Sequence, residues 1–275
     1  MFYQSAQIVG NKILRPLYKK EDLSFPLEEL LKMTNESVWL IVVCNPNNPT
    51  GTFVSIDDIE KIAQKGRNAI ILVDEAYFEF SRVTVVPLIK KYPNIIVVRT
   101  LSKAFGLPSL RVGYIAASES DISELLKVRG PYDVNMIAYT ASFAALDDLK
   151  GIQKYVNEIM TQAKPMVEDF FTKNGITFYQ SSGNFLLFKP SQKRVEKILK
   201  ENGILVRPQD KTNIENTLRL TIGTADQMKR FIKVYQNVIL NKSESKKYAF
   251  IDRDGTLIFE PQDTFQIDSI EKLKI

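Results

Sequence analysis

The chain has 275 residues, 44% of them hydrophobic, which suffices for one large core and leaves room for two domains. Its net charge of +5 and pI of about 9.0 are spread along the chain without an arginine-rich run, a bias toward anionic small molecules and away from nucleic acid. There is no histidine, which excludes His-based metal sites and Ser-His-Asp triads; the single Cys44 excludes an intrachain disulfide and fits a reducing cytoplasm, and no apolar run reaches membrane-spanning length.

In chain order, Lys12 to Pro16 reads as a strand and Pro26 to Lys32 as a helix with Leu27, Leu30 and Leu31 on one face. Val38 to Val43 is a buried strand that runs into Asn45-Pro46-Asn47-Asn48-Pro49-Thr50-Gly51, whose Asn and Pro density marks a rigid irregular loop. A helix over 55–65 opens on a Ser cap, with Asp57 and Asp58 favourably placed in its first turn. Ala69 to Val73 is the next strand and ends in Asp74-Glu75-Ala76-Tyr77. Asn94 to Val98 is the third, followed by Thr100-Leu101-Ser102-Lys103-Ala104-Phe105-Gly106-Leu107. A strand over Gly113 to Ala117 and helices over 121–128 and 134–147 complete a βαβ-like alternation. It implies a mostly parallel sheet in a domain of residues 1–150.

Apolar residues at helical spacing predict a long helix from Ile152 to Lys173, kinked at Pro165 and ended by Asn174-Gly175. Residues 176–240 read β-β-α-β-β-α, with strands near 176–180, 184–188, 203–206 and 217–222 and helices near 191–201 and 225–239. This makes residues 151–240 a small second α/β domain. Residues 241–247 are a polar linker, and 248–275 a final segment.

Three consecutive apolar strands thus deliver polar groups at one edge: Asn48, then Asp74 with Tyr77, then Ser102 and Lys103. Open α/β sheets bind ligands at the carboxyl ends of their strands. Taken singly, Lys103 would be a solvated loop residue, and a helix N-cap would also explain Asp74. Taken together, they point to one crevice.

NPNNPTG, VDEAY and LSKAFGL-x-x-x-R resemble the fingerprint of fold-type I, pyridoxal-phosphate-dependent aminotransferases, and the pattern is most similar to the histidinol-phosphate aminotransferase family over about residues 1–240. The resemblance implies an incomplete large cofactor domain, since Met1 to Ala6 resembles an internal segment and roughly the first third of a family member has no counterpart. It implies that Lys103 forms a Schiff base with the cofactor aldehyde, which needs a neutral amine and so a lowered lysine pKa, and that the freed amine then moves the proton. Asp74 would pair with the pyridine nitrogen, Tyr77 and Asn48 with the phenolic oxygen, and Ser102 and Arg111 with the phosphate. Arg219 falls at the family's substrate-anion position, although an Arg in a strand is, by itself, more often a surface ion pair. The implied reaction passes the amine of L-histidinol phosphate to 2-oxoglutarate, in a cytoplasmic homodimer.

Tyr248-Ala249-Phe250-Ile251-Asp252-Arg253-Asp254-Gly255-Thr256 resembles the nucleophile motif of haloacid-dehalogenase-type phosphatases and the opening of histidinol-phosphate phosphatase. There Asp252 would be the nucleophile and Asp254 the acid, both beside Mg²⁺. Residues 248–275 are too few for the rest of such a fold, so a free strand and tail is expected, with no metal bound by this chain. Two other readings remain: another fold-type I enzyme, such as an aromatic aminotransferase or a phosphate-substrate decarboxylase, or a non-catalytic fragment.

Overall fold

The computed structural model describes residues 2–240. Helix α1 (Phe2–Ile8), to which the sequence reading assigned no element, precedes an extended stretch and α2 (Leu27–Met33). The first sheet holds β1 (Leu40–Cys44), β2 (Ile70–Asp74), β3 (Ile95–Thr100) and β4 (Gly113–Ala116), in that spatial order. β1, β2 and β3 pair in parallel and β4 closes the edge antiparallel to β3, so the sheet is mostly parallel, as the βαβ alternation predicts.

Alternation within these strands decides which face is buried. Ile41, Val43, Ile71, Val73, Ile95 and Val97 point to one face and pack on Ile59, Ile62 and Ala63 of α3 (Ile56–Lys65). The spacing of those α3 residues is one helical stripe, and Ser55 caps the helix by accepting from the Asp58 N–H at 3.1 Å. The opposite face is only half-covered: Leu40, Val42 and Leu72 are partly exposed and Ile70 is exposed.

Two strand expectations need correcting. Lys12 to Pro16 is extended but pairs with no strand among the described residues; without a neighbouring ladder an extended segment is not a strand. The expected strand at 203–206 is displaced to β7 (Arg207–Gln209), because the ladder with its neighbour begins at Arg207↔Arg219. Pro208 is tolerated there because β7 is an edge.

The predicted long helix starts earlier, as α7 (Leu149–Glu158), where Asp148 accepts from the Gly151 N–H. It passes through a π-helical turn at Ile159–Ala163 into α8 (Lys164–Lys173). The adjustment that Pro165 demands is made by this wider turn just before it, where the Lys164 N–H reaches back to the Ile159 carbonyl. The second sheet is antiparallel throughout, in the order β5 (Phe178–Tyr179), β6 (Phe185–Phe188), β8 (Thr217–Thr221), β7. It is joined by α9 (Val195–Glu201) and α10 (Ala225–Val234), the latter opened by a Thr224–Gln227 capping box.

The second core is aromatic, built on Phe171, Phe185, Phe188, Phe231 and Tyr235. Tyr77, Phe80 and Ala104, from the edge of the first sheet, belong to the same core. Gly51 adds a second junction. At φ +77° its carbonyl accepts from the Ser182 N–H at 2.9 Å, and a side chain there would strike Ser181. The loop after β1 is therefore clamped between the two sheets.

Candidate active site

Each polar group leaves the first sheet at its carboxyl edge, where its strand positions it. After β1, Asn45 braces the loop: its amide donates to the Val54 carbonyl at 2.8 Å and its oxygen accepts from the Val54 N–H at 2.9 Å. The Asn47 N–H donates to the Thr52 carbonyl, and the Gly51 N–H to the Asn47 carbonyl. Asn48 stands exposed at the crest of this closed turn.

β2 ends on Asp74, whose Oδ1 accepts from the Ala76 N–H at 3.0 Å. Burial pushes its carboxyl pKa up; the Ala76 N–H and the charge of Lys103 pull it back. Tyr77 follows on the same turn. Its ring meets Phe185 edge-on at 5.0 Å, and its hydroxyl accepts from the Asn48 amide at 3.1 Å. Burial raises the Tyr77 pKa as well, and the nearby Arg219 charge opposes that rise.

β3 ends at Thr100, three residues before Lys103. Lys103 is exposed, and its Nζ, 5.5 Å from the centre of the Tyr77 ring, makes no hydrogen bond or ion pair among the described residues. The turn behind it is tied down by Leu101 N–H to the Val112 carbonyl and by Leu107 N–H to the Leu101 carbonyl, both at 3.1 Å. Arg219 reaches the group from β8: its Nη1 donates to Asn48 Oδ1 at 2.7 Å, and its guanidinium lies 5.5 Å from the Phe185 ring. Its Nε is buried without a hydrogen-bond partner among the described residues. A buried N–H left unbonded beside a cluster of polar groups fits a site built to receive an anion.

The structure thus brings together Asn48, Asp74, Tyr77, Lys103 and Arg219. Ser102 and Arg111 sit on the adjoining turn with local bonds only: Ser102 Oγ accepts from Thr100 Oγ1 at 2.8 Å, and Arg111 Nη1 donates to the Pro108 carbonyl at 2.9 Å. The group is an open shelf. A cavity of about 240 Å³ is lined by Leu23, Ser24, Gly51, Thr52 and Ser181 among others, and by none of the five. Asp252 and Asp254 lie outside the described residues, and among the described residues no cluster of potential metal ligands occurs.

Sequence reasoning gave no role to Asn45, Glu75, Arg99 or Phe185. Two signals were available: Glu75 is a second acid directly behind Asp74, and Arg99 a charge at the end of an apolar strand. Glu75 is 1% exposed and paired with Arg99 at 2.8 Å.

The chemistry on this shelf is that of an amine, a carboxylic acid, a phenol–amide pair and an anion receptor arranged around one edge. The family model described as aminotransferase class I and II matches residues 2–234. Among curated relatives, a histidinol-phosphate aminotransferase of Caldanaerobacter subterraneus subsp. tengcongensis is 40% identical over 224 residues, 80% of this chain and 63% of the relative. Histidinol-phosphate aminotransferase 2 of Carboxydothermus hydrogenoformans is 34% identical over 249 residues, 86% of this chain and 67% of the relative. Across such relatives the chain spans 60% to 67% of their length. A similar solved structure is histidinol-phosphate aminotransferase from Sinorhizobium meliloti in complex with pyridoxal-5'-phosphate, at TM-score 0.77 and 22% identity, covering 87% of this chain and 68% of that one. At that identity the likeness bears on the fold, which it supports as fold-type I.

Proposed function

The chain belongs to the class I and II aminotransferases, within the histidinol-phosphate aminotransferase family, and from that premise we propose that it holds pyridoxal 5'-phosphate at Lys103 and moves the amine of L-histidinol phosphate to 2-oxoglutarate. One observation carries this reading: three neighbouring strand ends and one strand of the second sheet deliver Asn48, Asp74, Tyr77, Lys103 and Arg219 to a single group.

The donor set suits that cofactor. Lys103 offers an unpaired amine to its aldehyde, Asp74 a carboxylate to its ring nitrogen, Asn48 and Tyr77 two hydrogen bonds to its phenolic oxygen, and Ser102 and Arg111 donors to its phosphate. When bound, the cofactor supplies an electron sink for the carbon that carries the substrate amine. The remaining work falls to the chain. Asp74 keeps the ring nitrogen protonated, and the negative charge this requires is the form its burial makes costly, so a cationic partner relieves it. Lys103 Nζ takes the proton from the amine-bearing carbon, the only basic side chain of the group free of hydrogen bonds. Arg219 receives the phosphate of one substrate and a carboxylate of the other through its vacant Nε–H and its guanidinium edge.

The division near residue 150 into a cofactor-holding part and a smaller part, with 241–247 as linker, belongs to the same proposal. So do a homodimer and a cytoplasmic setting. The dimer is supported by α6 (Met136–Asp147), apolar around its circumference with only Ala138 and Ser142 buried. No helix among the described residues is long and apolar enough to cross a membrane.

The test is to mix the purified chain with pyridoxal phosphate, follow the visible absorbance, trap with borohydride and map the adduct by mass spectrometry. An adduct on Lys103 that L-histidinol phosphate discharges, and aromatic amino acids discharge more slowly, supports the reading. Label anywhere else, or none, overturns it.

A further inference from the structure

Glu75, buried, and Arg99, half-buried, form an ion pair that touches none of the five site residues, yet each is fixed to one of them through the backbone. Glu75 follows Asp74 directly, and side chains alternate along a strand, so the two carboxylates point to opposite sides. Glu75 Oε2 accepts from Arg99 Nε at 3.0 Å, Arg99 Nη2 at 2.8 Å and Thr84 Oγ1 at 2.9 Å, while Oε1 accepts from the Val85 N–H at 2.7 Å. Arg99 Nη2 also donates to Thr84 Oγ1 at 2.7 Å, Nη1 donates to the Tyr114 hydroxyl at 3.3 Å, and the guanidinium covers the Phe78 ring of α4 (Phe78–Ser81) at 3.4 Å. The donors of this node come from β3 (Arg99) and the 82–86 loop (Thr84 and the Val85 N–H), while Tyr114 of β4 accepts from Arg99 and Phe78 of α4 lies under its guanidinium.

The position of the node matters more than its energy. A buried ion pair is weak evidence for stability, because desolvation offsets much of the attraction. But the pair spans β2 and β3 one residue past their last ladder partners, Asp74↔Val98. There the Glu75 N–H still bonds the Val98 carbonyl at 2.9 Å, and beyond it the two chains part. Three residues separate Arg99 from Lys103, and that stretch is stiffened by the Ser102 N–H donating to Thr100 Oγ1 at 3.1 Å and by Leu101 N–H to the Val112 carbonyl.

We propose that the Glu75–Arg99 pair is the positioning element of the site: it fixes the separation of Asp74 and Lys103 at the point where β2 and β3 diverge, and balances the charge behind them. The inference rests on the functional reading above. Glu75 and Arg99 are positioning residues, since they act through Asp74 and Lys103 and touch no substrate.

The pair makes a prediction that mere loosening of the fold does not. Arg99→Gln leaves a buried carboxylate behind Lys103, which favours the protonated amine. Glu75→Gln leaves an unpaired, half-buried guanidinium, which disfavours it. Asp74 and Tyr77, which lie against Lys103, stay unchanged, as do Arg219 and Cys44, whose charges act on that pair. The experiment titrates the visible absorbance of the pyridoxal phosphate adduct against pH in the parent chain, Arg99→Gln, Glu75→Gln and Thr84→Val. The expected result is a midpoint moved up in Arg99→Gln and down in Glu75→Gln, each by about threefold or more in proton dissociation constant, since charges near a protein surface act through an effective dielectric well below that of water. Thr84→Val, which removes one hydroxyl from the node at nearly constant volume, reports even if the charge variants do not fold: its cofactor dissociation constant rises about threefold, the scale of one hydrogen bond. Parent-like midpoints and constants in the folded variants, or shifts in the same direction for both charge variants, overturn the inference alone. A parent chain that takes no adduct on Lys103 overturns the functional reading and this inference together.

Discussion

The side-chain amide of Asn48 donates to the hydroxyl of Tyr77 at 3.1 Å, joining the loop after β1 to the turn after β2. Both partners are set by packing elsewhere: Asn48 by the Asn45 brace, Tyr77 by the edge of Phe185. Tyr77→Phe keeps the ring contact and removes only the hydroxyl. A net hydrogen bond is worth about 0.5–1.5 kcal/mol, so cofactor binding weakens by about 2- to 13-fold while the fold stays intact. Fluorescence titration with pyridoxal phosphate measures this, and an unchanged dissociation constant places the hydroxyl outside the binding site.

Lys103 supports no part of the fold. Its side chain is exposed and makes no hydrogen bond or ion pair among the described residues, and the bond its carbonyl accepts from the Gly106 N–H survives the change, so Lys103→Ala changes stability by no more than about 0.5 kcal/mol. The same change abolishes the borohydride-trapped adduct. Thermal melting and mass spectrometry on one sample separate the two effects. A chain that loses stability by several times that amount shows that Lys103 has a structural partner instead.

The strand core and its edge were readable from the sequence because a buried parallel strand leaves a continuous apolar run and a polar residue at its end. Val38–Val43, Ala69–Val73 and Asn94–Val98 gave β1, β2 and β3 within two residues at each end. The misses share a cause. Lys12 to Pro16 has strand-like residues but no partner to pair with, and pairing is a property of the neighbour. β7 is an edge strand placed by β8, whose register no local pattern carries. At the site, Asn48, Asp74 and Lys103 stand at strand ends and were legible; Arg219 approaches from the second sheet, and its bond to Asn48 spans 171 residues of sequence. Phe185, which seats Tyr77, reads as one more apolar residue of a strand.

Asp74 predicts a trade between stability and binding. Burial raises its folded-state pKa above the ordinary carboxylate value. For a carboxyl raised in the folded state, the native chain holds more protons than the unfolded one between the two values. Its contribution to stability is therefore highest below the unfolded value and is lost as pH rises through the folded one. At neutral pH the cofactor-free chain carries that cost in full. Asp74→Asn, which can still accept from the Ala76 N–H, removes it: the variant melts higher than the parent at pH 7, and the difference shrinks as pH is lowered toward 4. Cofactor affinity moves the other way. Glu79 and Glu168 are raised by burial too, so the comparison is between parent and variant at each pH. A variant that melts lower than the parent at pH 7 shows that the carboxylate is paired without cofactor.

The outer surface of α6 supplies the last prediction. Met136 and Ile137 are 76% and 73% exposed, and Tyr139 and Phe143 stack on each other at 4.6 Å while both remain open to solvent. A helix that is apolar all round is normally buried, and this one is buried at Ala138 and Ser142 and partly covered at Ala141 and Ala145. Leu126 and Val128 of α5 (Glu119–Val128) extend the same apolar character on the preceding helix. Surface of this kind is removed from water by association. If the partner is a second copy, the interface is self-complementary, and one change strikes it twice. Ile137→Lys with Phe143→Lys then converts a dimer to a monomer by light scattering, with an unchanged far-ultraviolet circular dichroism spectrum, because neither side chain is part of the buried cores. A parent chain that is monomeric and soluble at the concentrations used for binding removes the second copy as the occupant of this face.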